Sequence, residues 1–272
     1  SAFGSQSASR TVTINNGATV NFNTNNVLGN GAVPVANLTS FTVNQGGTLA
    51  ANNYNVIGAV TLNGGTMTRT GTGTPGSYQG FEFKGKVTTG GSAKSTITST
   101  GGYGHHLAGD ITFEVNDAVN GVDLAVDAAL RNASPDVPGV LGGITKTGTG
   151  TMALNGANTY TGTTTVSAGT LLVNGSLGAT AVTVGTDGTL GGGSSTSGSI
   201  AGNVTVNGTL SPGNSAGTLA LGGNLLLNSS AMLNWELDAT APLTLGLGVN
   251  DLVTVGGLLT LDGTLNVTGL NS

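Results

Sequence analysis

The chain has no cysteine, few aromatic residues (4%), little charge (7%) and no run of apolar residues approaching 18. Without cysteine there is no disulfide framework and no thiolate metal site, so stability must come from paired backbone and apolar burial. Without a long apolar run there is no candidate membrane helix. Ordinary globular domains carry roughly 25% charged residues, so Thr, Ser and Asn must cover most of this surface. A net charge of -5 over 272 residues makes a phosphate backbone an unfavourable partner, and nucleic-acid binding is set aside.

What the chain does have is 49 glycines and a recurring strand grammar. A Gly followed by Thr and an apolar residue returns at Gly47-Thr48-Leu49, Gly65-Thr66-Met67, Gly169-Thr170-Leu171, Gly188-Thr189-Leu190, Gly208-Thr209-Leu210 and Gly263-Thr264-Leu265. The consecutive copies at Thr170, Thr189 and Thr209 keep a nearly constant step of roughly 20 residues, within the range of solenoid repeats. Around these points apolar residues alternate with Thr and Asn, as in Val204-Thr205-Val206, which places one face of a short strand inside. Seven Asn-Gly pairs mark places where a positive φ costs little. Taken singly, each pair suits a hairpin and hence an antiparallel sandwich. Taken together, a fixed period with matching residue types favours coils stacked in parallel, Thr over Thr and Asn over Asn. The predicted fold is all-β, a parallel β-helix (β-solenoid) with about 20-residue coils. At that size the chain makes about 12 to 14 coils and a rod of roughly 60 Å.

Three segments are expected: N-terminal coils over residues 1–77, a charge-richer and less regular segment over 78–140, and C-terminal coils over 141–272. The middle segment holds 11 of the 19 charges, with alternation continuing through Ile111, Phe113 and Val115. Residues 235–242 interrupt the coils before 251–267 resumes them. Neither end shows an amphipathic cap, and only Arg10 lies near the first coil and Asp262 in the last. Open solenoid ends invite head-to-tail stacking. Val12 and Ile14 at one end and Leu261 and Leu265 at the other are the candidate assembly residues.

Several patterns look chemical. Gly213-Asn214-Ser215-Ala216-Gly217 fits G-x-S-x-G, yet both histidines lie upstream and no helix follows. Gly71 to Gly76 spells G-x-G-x-x-G with Pro75 inside it, and no helix N-terminus is at hand to hold a pyrophosphate. His105-His106 reads as an exposed turn pair, because adjacent strand side chains face opposite ways and rarely share one ion. Asp117, Asp123 and Asp127 offer oxygen ligands for calcium but lack the repeated Gly/Asp spacing of calcium-binding solenoids. Glu82, Lys84 and Lys86 are the nearest approach to a catalytic set, and alternation places all three on one solvated face. No catalytic, cofactor-binding or metal-ligating residue is assigned, and no cofactor is expected.

Residues 143–154 (GITKTGTGTMAL), then Gly156-Ala157-Asn158-Thr159-Tyr160-Thr161-Gly162, then Val166 to Leu171, closely resemble the autotransporter-associated β-strand repeat, also called the passenger-associated transport repeat. The close resemblance runs from Gly143 to Leu171. A looser likeness to sequence that often follows such repeats extends through Leu210 to Leu219, the region of Trp235 and residues 251–267. The resemblance implies a right-handed coil and an extracellular or cell-surface stalk from a Gram-negative or related bacterium. It also implies that a membrane β-barrel, absent before Ser272, either has been separated from the passenger or is not used. The leading expectation is a noncatalytic extracellular structural rod that self-associates head to tail into surface fibres or serves as a stalk. The alternative is an autotransporter passenger fragment acting as an adhesin on surface glycans or neighbouring cells. A glycan-degrading β-helix enzyme comes third.

Overall fold

The computed structural model describes residues 10–28, 33–71, 79–101, 104–133, 139–192, 198–213, 216–237 and 250–269. The chain winds as a parallel β-helix, its coils joined by parallel ladders in sheets of 20, four and five strands. One column of inward side chains tracks the whole rod. It runs Val12, Phe41, Val60, Val87, Phe113, Lys146, Val166, Val184, Val206, Leu227 and Leu261, each in register with the next. Those eleven positions mark eleven coils among the described residues, fewer than the sequence period suggests. At the usual strand spacing the rod is about 50 Å long.

The difference lies in coil size. The coils that begin at Lys146, Val166, Val184 and Val206 are short, as the sequence period predicts, and so is the one from Phe41 to Val60. The other coils are longer, the longest running from Leu227 to Leu261, because turns between strands lengthen while the strands stay in register. A solenoid tolerates this, since extra residues leave at a corner and the stacked face is undisturbed.

Most coils consist of three short strands. In the second coil these are Thr39–Asn44, Thr48–Ala51 and Asn55–Ile57. Two-residue alternation sends Phe41, Val43, Leu49 and Ile57 into one continuous core that runs to Leu227 and Ala231. Outside, like residues stack as their spacing predicts. Asn63 donates to Asn44 (3.0 Å), which donates to Asn15 (2.7 Å), and Thr98 donates to Thr68 (2.8 Å).

The segment 142–175 has a particular physical role. Lys146 interrupts the apolar column and is fully buried, and its ammonium donates to the carbonyls of Thr147 (3.0 Å), Gly148 (2.8 Å) and Ala168 (2.9 Å). Burial lowers its pKa to about 8, with Asp123 opposing, so it stays mainly protonated at neutral pH. The next coil must then come close: a Cβ on Gly169, at φ +67°, would lie 2.4 Å from the Gly148 carbonyl oxygen. Asn158, also buried, accepts from the Leu130 amide (2.9 Å) and donates to the Ser176 carbonyl (3.1 Å), tying the coil before to the coil after. Tyr160 OH and the Thr164 hydroxyl share a bond of 2.7 Å, and Thr164 reaches Thr180 at 3.2 Å. The Lys, Asn and Tyr of this segment are therefore three buried stitches across neighbouring coils.

Candidate interaction surfaces

The charged middle differs most from its sequence reading. Glu82, Lys84 and Lys86 do not share a solvated face. Glu82 is fully buried, Lys84 donates to the Val33 carbonyl (2.9 Å), and exposed Lys86 pairs with Glu114. The cause is the long turn of the first coil, which folds back over this side. Leu38, Tyr54 and Val56 form a small apolar cluster with Val33, and Val56 is in register with Glu82. Local alternation gives no sign of such a cover, because it comes from a segment far upstream.

His105 and His106 are likewise not an exposed turn pair. They lie in the strand His105–Leu107, with His105 fully buried and His106 half-buried. His105 stacks on Phe81 at 5.8 Å and meets Phe83 edge-on. Its Nδ1 accepts from the Phe81 amide (3.1 Å), which leaves Nε2 to donate to the Thr98 carbonyl (3.1 Å). Burial pushes its pKa down to about 4, partly offset by the Thr98 bond, so the ring is neutral and both nitrogens are engaged. His106 is lowered too, again by burial first.

Asp117, Asp123 and Asp127 do not converge on a calcium site. Asp117 and Asp127 are exposed, and Asp127 accepts from the Asn155 amide group (2.6 Å). Asp123 is buried, with Oδ1 accepting from the Ala118 and Val119 amides and Oδ2 from the Thr151 amide (2.7 Å). Its lone pairs thus hold a turn and the next coil together. Among the described residues no group of three His, Cys, Asp or Glu is placed to hold a metal ion. Ser215 and residues 72–76 of the two glycine-rich motifs lie outside the described residues.

The two ends of the rod are unlike. Val12 is half-buried and Ile14 only 1% exposed, whereas Leu261 and Leu265 are 61% and 60% exposed. Leu258, Leu259 and Val267 are also exposed, so the last described coil presents an apolar edge. Leu261 and Leu265 border a small hollow with Leu227 and Leu233. None of the described helices is long and apolar enough to cross a membrane, a statement that leaves strands aside.

The family model for the passenger-associated-transport-repeat matches residues 144–173, the segment that contains the Lys146, Asn158 and Tyr160 stitches. The chain is also similar to the adhesin BmaC autotransporter of Brucella suis biovar 1 (strain 1330), 45% identical over 65 residues. That stretch is 24% of this chain and 2% of the relative, so the chain spans only a small fraction of that protein's length. No solved structure gives a significant match. With a passenger-associated repeat and an adhesin autotransporter as a relative, the chain is an extracellular, cell-surface protein.

Proposed function

We propose that the chain is a noncatalytic β-helical rod within a surface passenger of adhesin type, holding binding surfaces away from the cell. The observation that carries this is the in-register column from Val12 to Leu261, apolar except for a carbonyl-saturated lysine that lies inside the matched passenger repeat. Such a rod resists force and proteolysis through stacked backbone hydrogen bonds. The noncatalytic reading is supported by the fate of two buried reactive groups: His105 and Asp123 spend their side-chain donors and acceptors on the backbone.

Self-assembly is the second reading, favoured by the exposed apolar edge around Leu261 and Leu265. In it, the first coil of a second copy covers that edge, with Val12 and Ile14 meeting Leu261 and Leu265 in a head-to-tail contact. Negative-stain electron microscopy over a concentration series separates the two. Isolated rods of about 50 Å are the outcome expected of a stalk segment, filaments of constant width that of a fibre, and globular particles would overturn both.

A further inference from the structure

We propose that an outer groove over the seventh to tenth coils binds a neutral oligosaccharide. The groove has a volume of about 470 Å³ and takes its polar lining from four successive coils: Thr170, Thr189, Ser211 and Glu236. Leu172, Gly191 and Ser211 stand in register along it, with Leu172 leaning to within 3.2 Å of where a Gly191 Cβ would sit. Gly213 continues the floor.

The chemistry of the lining selects the ligand. Thr and Ser hydroxyls both donate and accept, and the Glu carboxylate accepts. Among the described residues nothing hydrogen-bonds the side-chain oxygens of Thr170, Thr189, Ser211 or Glu236, so all four are available to a ligand. They lie on four successive coils, about 14 Å from first to last along the rod axis, with Ser211 and Glu236 displaced along their strands from the Thr170–Thr189 register, a reach that fits a chain of linked sugars better than a single ring.

Charge excludes the anionic members of that class. All seven Lys and Arg lie at or before position 146, so residues 147–272 carry five acidic residues and no basic one. Lys146 itself turns its ammonium onto three carbonyls inside the rod. A uronate, sialate or sulfated sugar would therefore meet Glu236 with no counter-charge.

The groove is also held in shape. Asp251, buried, accepts from the Gly217 amide with Oδ1 (2.9 Å) and from the Glu236 amide with Oδ2 (2.8 Å), and its own amide donates to the Glu236 carbonyl (2.9 Å). This fastens the strand bearing Glu236 to Gly217, so the groove is pre-formed.

The proposal adds a ligand to the rod and does not depend on self-assembly. The test titrates the intact chain, by amide-resolved NMR, with cellotriose, chitotriose and maltotriose as neutral probes and trigalacturonate as the anionic one. The expected result is saturable binding of at least one neutral trisaccharide, with shifts centred on Thr170, Thr189, Ser211 and Glu236, and none for trigalacturonate. Thr189→Val and Glu236→Gln together should weaken binding at least about tenfold, the size of one lost charge-assisted hydrogen bond, without lowering the melting temperature. Absence of neutral binding, unchanged affinity in the double variant, or tighter binding of trigalacturonate would each overturn the proposal. Rods that form normally but bind no sugar would leave the stalk reading standing.

Discussion

At the scale of single residues, Lys146 shows how position and chemistry can point in opposite directions. Its place between Phe113 and Val166 in the core column suggests that an apolar side chain would serve better. Its three carbonyl partners say otherwise, because the carbonyls of Thr147, Gly148 and Ala168 each accept from the ammonium. Lys146→Met keeps the volume and removes the donors, so it should cost about 2–4 kcal/mol. The urea midpoint is the measurement, and a midpoint unchanged or raised would show that the column, and not the ammonium, decides this site. The glycines nearby follow from the same geometry. Gly150 leaves room for the Asp123 carboxylate, 2.6 Å from where a Cβ would sit. The repeat's Gly and Thr pattern was legible in the sequence as turn and strand. The purpose of its lysine was not, since it depends on the backbone turning its own Thr147 and Gly148 carbonyls and the next coil's Ala168 carbonyl onto one ammonium.

At the scale of elements, two buried acid–base groups give different strands opposite responses to pH. His105 has a folded pKa near 4 against an ordinary 6.5, so below 6.5 the unfolded chain takes up a proton that the folded one refuses. Stability around the strand His105–Leu107 therefore falls as pH drops from 6.5 toward 4, by about 3 kcal/mol in full. Asp251 is the reverse case: burial raises its pKa to about 6 from 3.8, so the folded state holds the proton more tightly. Its contribution grows as pH falls from 6 toward 3.8. Hydrogen exchange compared at pH 7 and pH 5, with rates corrected for intrinsic chemistry, should show protection declining at residues 104–107 and rising at 232–237 and 252–255. Uniform change along the rod would contradict both assignments. Neither response could be read from sequence, although the strands themselves could. Period-two alternation marks Ile111–Phe113–Val115 and Val204–Val206 wherever one face is inside and the other in water. It fails at Glu82 and His106: they lie in register with Val56, Tyr54 meets the His106 ring, and Lys84 reaches back to the Val33 carbonyl, contacts between segments far apart in the chain.

At the scale of the whole rod, the unequal ends decide what can be built from it. Five side chains, Leu258, Leu259, Leu261, Leu265 and Val267, stand 48% to 69% exposed at the C-terminal edge, while Ile14 at the other end is covered. Covering five half-exposed aliphatic side chains gains roughly 5–8 kcal/mol, against roughly 4–15 kcal/mol of lost freedom when two separate molecules join. Association of two copies is therefore weak at best and dependent on concentration. Covering by a further coil of the same polypeptide escapes most of that cost. Sedimentation velocity from micromolar to millimolar protein distinguishes these cases when Leu261→Asp/Leu265→Asp is run beside the unmodified chain. For a head-to-tail fibre, the unmodified chain should sediment faster with increasing concentration, and the double variant should stay a monomer. If instead both remain monomeric throughout, self-assembly through this edge is ruled out. That outcome leaves the stalk reading, in which the rod acts without a second copy.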